Sequence, residues 1–252
     1  MNVTFDTNVW EKVIDEDNHH FGKIKNKIRD GKIHAYICEI ALSLESIKRQ
    51  DRPEFFAGYR PSITVNHLPT EDEKLVMQIC VAPNVELHPD HHPKLQTKLL
   101  EARHLGFRVL RMTNFGTIRT QEIPDEMYMD NANDDIDEFW RYAECLSSCA
   151  DYITSMGCGQ TAYNQFKGEF NLVGAGSQLI PIKRRKEFWK AIAEWVDGDS
   201  LAAHYAAGNE FFCTNDKARS AGTQSVFHGA NRNRLETEFG IKIISSCEAA
   251  QL

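Results

Sequence analysis

Residues 1–10, MNVTFDTNVW, place a carboxylate directly after a short apolar stretch. Val3 and Phe5 alternate with polar residues, which predicts a strand that ends just before Asp6. Asn8 is positioned to cap the helix that follows. Ligands of open α/β sheets bind at the carboxyl ends of the strands. These ten residues alone therefore leave two roles open for Asp6, an ordinary helix cap or a catalytic residue.

The composition indicates a soluble globular protein. The 252 residues are 42% hydrophobic and 26% charged, enough for one large domain or for one domain carrying an insertion. No run approaches the ~18 apolar residues of a membrane span, and the N-terminus lacks a signal-peptide pattern. The seven cysteines form no close-set framework, which favours free thiols and a cytoplasmic location.

The formal net charge of −7 argues against a general polyanion binder. Such proteins usually carry an excess of Lys and Arg. The charge is compatible with a nucleic-acid enzyme whose acidic cluster is neutralised by a metal ion.

Strand and helix patterns alternate at both ends of the chain. In FGKIKNKIRDGK, the spacing of Phe21, Ile24 and Ile28 predicts a helix that Gly31 ends, followed by the strand KIHAYIC and the helix EIALSLESIKRQ. Near the C-terminus we expect helices in RRKEFWKAIAEWV and DSLAAHYAAG, the strand EFFC, a helix around NRLETEF and the strand IKIIS. This alternation predicts an α/β sandwich of three layers, with a mostly parallel central sheet and helices on both faces.

Residues 51–185 do not continue the alternation. The segment contains ELHPDHHPKL, a helix and strand in LLEARHLGFRVLRM, an acidic stretch that leads into a helix, and the Gly-rich EFNLVGAGSQLIP. We expect a largely helical insertion of uncertain role that packs beside the acidic edge of the sheet.

The second informative stretch is GDSLAAHYAAGNEFFCTNDKARSAG, residues 198–222. Asp199 is predicted to begin a helix of small residues, and the strand EFFC is followed by Thr214 and Asp216. Two carboxylates after strands and one at a helix start can meet at one sheet edge. Oxygen ligands of this kind suit Mg²⁺ or Mn²⁺.

Together, FDTNVW, ALSLESIKR and GDSLAAHYAAGNEFFCTNDKARS resemble the PIN-domain family of metal-dependent ribonucleases. In that family one acid follows the first strand, one lies on the helix after the second strand, one opens a D-x-x-x-A-x-x-A helix, and one follows the fourth strand in a T-x-D turn. The resemblance assigns these four positions to Asp6, Glu45, Asp199 and Asp216.

The resemblance covers two blocks, residues 1–50 and 186–252, which would form one discontinuous PIN-like nuclease core. Residues 51–185 are foreign to the minimal pattern of the family, whose members are commonly much shorter.

Two acidic residues compete for the second position. Glu39 and Glu45 are six residues apart and cannot share a helical face. We prefer Glu45 because it lies deeper in the predicted helix between apolar residues, whereas Glu39 suits a charge near the helix start.

The resemblance implies hydrolysis of RNA phosphodiester bonds by water that a bound Mg²⁺ or Mn²⁺ activates, leaving a 5′-phosphate and a 3′-hydroxyl. The implied metal ligands are Asp6, Asp199 and Asp216, although Asp199 could instead position water. Glu45 would orient the attacking water. Asn8 and Thr214 would hold the carboxylates in place.

The partner implied by the resemblance is an RNA substrate. In the toxin branch of the family a small antitoxin inhibits the enzyme, and dimers are common, so an antitoxin-like inhibitor and a homodimer belong to the same expectation. No feature of the sequence predicts membrane association.

Basic residues near the C-terminal block are candidate RNA contacts. IKRRKEFWK could grip the backbone, with Trp189 available for stacking, and an exposed helix face explains the same pattern equally well. The candidate substrate-binding residues are Arg184, Arg185, Arg219 and Arg232, with Arg234 beside them.

Two other clusters rate lower. His88, Asp90, His91 and His92 could hold zinc, but no matching ligand pair stands at zinc-finger spacing and a solvated loop is the better interpretation. The thiols at positions 145, 149 and 158 lack a clear fourth ligand, and buried small residues are the commoner case.

Two functions of other classes stay open. One is a PIN-like module that binds RNA or protein without cleaving. The other is an aspartate-based phosphatase with Asp6 as nucleophile; dehalogenase-type phosphatases carry a second Asp two residues later, where this chain has Asn8.

Overall fold

The computed structural model describes residues 1–15, 19–47, 51–52, 61–68, 76–83, 93–112, 123, 125–129, 135–170, 180–218 and 222–252. The strands are β1 (Asn2–Phe5), β2 (His34–Cys38), β3 (Pro61–Leu68), β4 (Val76–Pro83), β5 (Arg108–Leu110), β6 (Phe211–Cys213) and β7 (Ile243–Ile244). The helices are α1 (Thr7–Asp15), α2 (His19–Arg29), α3 (Glu39–Ser46), α4 (Pro93–Leu105), α5 (Ile136–Ser155), α6 (Thr161–Phe170), α7 (Arg185–Ala206), α8 (Gly229–Phe239) and α9 (Ser246–Ala249).

Five strands form one parallel sheet in the order β5-β2-β1-β6-β7. β1 lies at its centre, where Val3 is in register with Ala35 of β2 on one side and with Phe211 of β6 on the other. The predicted α/β class with a parallel central sheet is confirmed. β3 and β4 form a separate antiparallel pair.

Helices cover both faces of this sheet. Successive side chains of β1 point to opposite faces, so β1 contributes to the packing on each side. Val3 and Phe5 are buried in a cluster with apolar residues of α1, α2 and α4. Between them, the hydroxyl of Thr4 faces the other layer, where it lies 2.9 Å from Nδ1 of His204 in α7. That second layer contains α3, α5, α6, α7 and α8.

Several local predictions are confirmed. The strand before Asp6, the helix carrying Phe21, Ile24 and Ile28, and the strand–helix pair at 34–46 lie where the pattern places them. Gly31 follows the end of α2 with a φ of 69°, a left-handed conformation that glycine adopts without strain.

The prediction of two helices between residues 185 and 207 is wrong. α7 runs unbroken from Arg185 to Ala206, so Asp199 lies inside a helix and does not begin one. One side of α7 is buried in its first half, and every residue from 198 to 204 is buried in its second half. This packing overrides the low helix propensity of Gly198.

The boundaries predicted for the insertion do not follow the sheet. β5 lies within 51–185 and yet pairs in parallel with β2, with Tyr36 in register with Arg108. From the same segment, Leu146 and Ile153 of α5 are buried in one core cluster with Ile192 of α7. Part of the middle segment is therefore integral to the fold.

In the described part of the chain, every helix is too short or too polar to span a membrane.

Two glycines bring α7 against the turn between α5 and α6. A Cβ atom built on Gly198 would lie 3.0 Å from Cα of Gly159 and 3.2 Å from Cγ2 of Ile153. The nearest atom belongs to the backbone and cannot rotate away. The approach of the turn to α7 therefore depends on the missing side chain at Gly198.

Replacing Gly198 tests this contact. Alanine normally stabilises a helix interior by about 1 kcal/mol relative to glycine, but Gly198→Ala should lower the free energy of unfolding by roughly 1–3 kcal/mol through overpacking. Gly168→Ala in α6 is the matched control, since its Cβ would meet no atom of the described structure within 4 Å. Urea unfolding of both variants measures the difference; a stabilised Gly198→Ala would contradict the contact.

Candidate acidic site

Asp6 and Asp216 lie at the same edge of the sheet because β1 and β6 are parallel neighbours. Asp6 follows the last residue of β1, and its amide donates to the carbonyl of Cys213, 3.0 Å away. Thr214 and Asp216 follow β6. Strand pairing thus places together two carboxylates that are more than 200 residues apart in sequence. In chain order β6 is the fourth strand of the sheet, so Asp216 follows the fourth strand.

The carboxylate of Asp6 is fixed by three donors. Oδ1 accepts from the Thr7 amide at 2.7 Å, and Oδ2 accepts from the Asn8 side-chain amide and from the Thr214 hydroxyl at 2.6 Å. Asn8 also accepts from the amide of Asn215 at 3.0 Å. Asn8 and Thr214, the two residues predicted to hold the carboxylates, therefore both contact Asp6 and join the β1 and β6 ends.

The turn that carries Asp216 is tightly held. Its amide donates to the Thr214 hydroxyl, Oδ1 accepts from the Ala218 amide at 2.6 Å, and its carbonyl accepts from Nη2 of Arg232. Ala218 has a φ of 56°, an uncommon conformation for a residue with a Cβ. Backbone strain of this kind persists where surrounding contacts enforce it, and it often marks functional sites.

Asp197 of α7 completes the cluster. Removal from water raises the pKa of Asp197 well above its ordinary value, and the charges of Asp6, Glu194 and Asp216 raise it further. Burial also raises the pKa of Asp6 to about 6, against hydrogen bonds that lower it, and the charge of Asp216 adds to the rise. These carboxylates repel one another, so each makes ionisation of the others harder. We call Asp6, Asp197 and Asp216 the acidic cluster.

Asp199, predicted as the third acid, has a different environment. It is buried, and its Oδ2 accepts from the indole nitrogen of Trp195 at 2.8 Å. Burial raises the pKa of Cys149 in α5 to about 12, and the charge of Asp199 adds to that rise. Two residues correspond to about 200° around a helix, so Asp197 and Asp199 face different parts of the structure.

Glu45 forms an ion pair with Arg52, at 2.9 Å between Oε2 and Nη2. Glu39 lies in the first turn of α3, as expected, but it is buried and accepts from the Met112 amide and the Tyr128 hydroxyl. Glu39 thereby links α3 to the end of β5. Among the described residues, neither glutamate contributes a charge that shifts the pKa of Asp6 or Asp197.

Glu194, which the sequence analysis did not single out, lies one helical turn before Asp197. Burial raises its pKa to about 7, hydrogen bonds from the Ser225 side chain and the Val226 amide lower it, and the charge of Asp216 raises it. The sequence did contain a signal for this pair, because Glu194 and Asp197 are three residues apart. Residues at that spacing lie on one face of a helix, provided that the helix continues to Gly198.

Two of the residues predicted to contact RNA, Arg184 and Arg232, are engaged in contacts within the protein. Arg184 forms ion pairs with Glu169 and Glu187, and its guanidinium lies 4.9 Å from the ring centre of Phe166. Arg232 donates to the Phe227 carbonyl as well as to that of Asp216, so it supports the turn.

The structure describes most of the other residues predicted to contact RNA. Arg185 and Arg234 are exposed. Trp189 lies under the guanidinium of Arg52, at 4.9 Å. Arg219 is outside the described residues.

The two lower-rated clusters differ in whether the structure describes them. The histidines of HPDHHP and Asp90 lie outside the described residues. Cys149 and Cys158 are buried and Cys145 is partly buried, and all three are free thiols.

The acidic cluster suits a divalent cation by chemistry. Across the described ranges, no group of three or more His, Cys, Asp or Glu side chains is already arranged to hold a metal ion. The three carboxylates nevertheless supply the oxygen ligands that Mg²⁺ and Mn²⁺ prefer. Burial is the main cause that raises the pKa of Asp6 and of Asp197, and a bound cation would favour the ionised form of both.

Comparisons of the chain with protein-family models, with curated proteins and with solved structures found no match.

The charge on Asp6 should destabilise the metal-free protein. Its pKa is about 6 when folded and near 3.8 ordinarily, so stability rises as pH falls from about 6 toward 4, where the folded state binds the proton more tightly. Asp6→Asn lacks this titration. The variant should be more stable than wild type by on the order of 2 kcal/mol at pH 7.5, and the difference should shrink at pH 5.

Urea unfolding at both pH values, in buffer with a chelator, measures this difference. Burial lowers the pKa of His204 to about 3, which destabilises the folded state as pH falls below about 6.5, but this effect is common to both proteins and cancels. Asp30→Asn, at an exposed turn, is the control. A stability difference that does not change with pH would contradict the assignment.

Proposed function

We propose that this chain is a Mg²⁺- or Mn²⁺-dependent endoribonuclease similar to PIN-domain enzymes. The observation that supports it best is the acidic cluster, in which Asp6, Asp197 and Asp216 converge from three elements at the carboxyl edge of a parallel sheet. Burial and the charge of Asp216 raise the pKa of Asp6, and burial and the charges of Asp6 and Asp216 raise the pKa of Asp197. Such mutual repulsion costs stability, and functional sites commonly carry that cost.

The proposal assigns metal binding to Asp6, Asp197 and Asp216. When bound, the ion supplies water activation and stabilisation of charge on the phosphoryl oxygens. In this assignment Asp197 takes the ligand role that the resemblance gave to Asp199, because the Asp199 carboxylate accepts a hydrogen bond from Trp195. Glu45 stays a predicted water-orienting residue, although its carboxylate pairs with Arg52.

The surrounding residues keep the carboxylates in place before substrate arrives. Asn8, Thr214 and the Thr7 amide orient Asp6, and Arg232 holds the backbone of Asp216. Preorganised charges need little rearrangement during the reaction. In the hydrolysis, water oxygen bonds to phosphorus, the bond from phosphorus to the 3′-oxygen breaks, and that oxygen takes up a proton. The products are a 5′-phosphate and a 3′-hydroxyl.

RNA binding is assigned to the basic start of α7. Lys183, Arg185 and Lys186 are exposed and can contact phosphates. Arg185 and Asp197 are twelve residues apart on one helix, which is about 18 Å along its axis, so a substrate reaching both spans several nucleotides. An antitoxin-like inhibitor, a homodimer and a cytoplasmic location stay predictions of the resemblance.

One observation favours a second candidate, a PIN-like module that binds RNA without cleaving it. No ready-made metal arrangement exists among the described carboxylates. The phosphatase alternative gains no support, since Asn8 donates its amide to Asp6 where that chemistry needs a second carboxylate.

Three asparagine variants test the proposal. Asp6→Asn and Asp197→Asn should lower Mn²⁺-dependent cleavage of a fluorescent RNA by at least about 100-fold, because each removes a ligand charge. Asp199→Asn should keep cleavage within about threefold of wild type, because the amide oxygen can still accept from Trp195.

Melting temperatures provide the control for folding and for metal binding. Mn²⁺ should raise the melting temperature of wild type and of Asp199→Asn, and should raise those of the other two variants less. Cleavage that persists in Asp6→Asn would retire the ribonuclease assignment. RNA binding without any cleavage by wild type would favour the non-catalytic module.

A further inference from the structure

A cavity of about 380 Å³ lies between α6, α7 and the turn that joins α5 to α6. Its size falls in the range of small-molecule sites, which begins near 300 Å³. Both apolar and hydrogen-bonding groups line it, among them Gly159, Gln165, Phe166, Lys190, Glu194 and Gln224. It is therefore large enough, and chemically varied enough, to recognise a flat heterocycle.

Glu194 lines this cavity, and its carboxyl group carries one acceptor without a partner among the described residues. Oε2 of Glu194 is buried and, within the described structure, has no hydrogen-bond partner. The Ser225 side chain and the Val226 amide hydrogen-bond to the same carboxyl group, which restricts its rotation. A buried acceptor without a partner is unfavourable in a folded protein. A ligand that carries N–H donors would satisfy it.

One face of α7 connects the cavity to the acidic cluster. Lys190, Glu194 and Asp197 are spaced by four and three residues, so they follow one another along the same side of the helix. Glu194 and Asp197 are separated by about 4.5 Å of helical rise, and the charge of Glu194 acts on Asp197. A group bound in the cavity would thus lie on the same side of α7 as Asp197, about one helical turn away.

Building on the ribonuclease function, we propose that this cavity binds a guanine base of the RNA next to the bond that is cut. Guanine presents two adjacent donors, N1–H and the 2-amino group, to a carboxylate such as that of Glu194. Its O6 and N7 are acceptors, which Lys190 and the amides of Gln165 and Gln224 can meet. Splayed-out bases in pockets of this kind are the usual means of sequence-specific RNA recognition.

The other bases match less well. Adenine and cytosine each offer one amino group beside a ring nitrogen that would face the carboxylate with a lone pair. Uracil offers a single N–H between two carbonyl oxygens, which the carboxylate would repel. The cavity should therefore prefer guanine over the other three bases.

Calorimetric titration of the metal-free protein with single nucleosides tests the inference without requiring cleavage. The titration is done at about pH 8.5, where the Glu194 carboxyl group, with its pKa of about 7, is ionised. Guanosine should bind with a dissociation constant at least tenfold lower than those of adenosine, cytidine and uridine. Inosine, which lacks the 2-amino group, should bind more weakly than guanosine. Glu194→Gln should weaken guanosine binding at least tenfold, whereas Glu238→Gln, at an exposed position of α8, should leave it unchanged.

Ala162→Leu gives a second variant that does not alter charge. Ala162 is partly buried at the cavity wall, so the larger side chain should reduce binding of every nucleoside. Unchanged melting temperatures would show that both variants fold. Equal binding of the four nucleosides, or guanosine binding that Glu194→Gln does not weaken, would overturn the inference.

An RNA cleavage assay, done beside the guanosine titration, distinguishes failure of this inference from failure of the proposed function. Cleavage without guanosine binding would overturn the cavity assignment and leave the ribonuclease standing. Selective guanosine binding without cleavage would retire the ribonuclease and leave the cavity as a guanine site.

Discussion

The parallel pairing of β1 with β6 is the constraint on which the rest of the structure depends. Val3, Thr4 and Phe5 lie in register with Phe211, Phe212 and Cys213, and the Asp6 amide extends the pairing by donating to the Cys213 carbonyl. Both strands end at one edge, so the residues that follow them meet whatever lies between them in sequence. The intervening chain then adds β5 to the far side of β2 and packs α5 against α7, which lies across the sheet.

That edge concentrates negative charge that the fold only partly offsets. Burial and the charge of Asp216 raise the pKa of Asp6, and burial and the charges of Asp6, Glu194 and Asp216 raise the pKa of Asp197. Neutral donors from Asn8 and Thr214 hold the Asp6 carboxylate without adding positive charge. Neutral donors fix the carboxylate while leaving its charge available. The arrangement at this edge is consistent with the cation binding proposed above.

The parts that could be predicted from the sequence are those set by local pattern. β1 and β2 follow from alternating apolar residues and β6 from a short apolar run, and Asp6 and Asp216 follow from carboxylates placed within three residues of strand ends. Asp197 was missed because Gly198 resembles a helix boundary in sequence. Gly198 instead lies inside α7, where the close approach of the Gly159 backbone leaves no room for a side chain.

Other features depend on contacts that no local pattern reports. The place of β5 beside β2 and the partner of Glu45 are set by tertiary packing.

The central claim is that the acids at residues 6, 197 and 216 form one interacting cluster. Carbon-13 NMR titration of the aspartate carboxyl groups in the metal-free protein tests it most directly. The account predicts a pKa near 6 for Asp6 that falls in Asp216→Asn and in Asp197→Asn. An Asp6 pKa near 3.8, unchanged by either substitution, would contradict it.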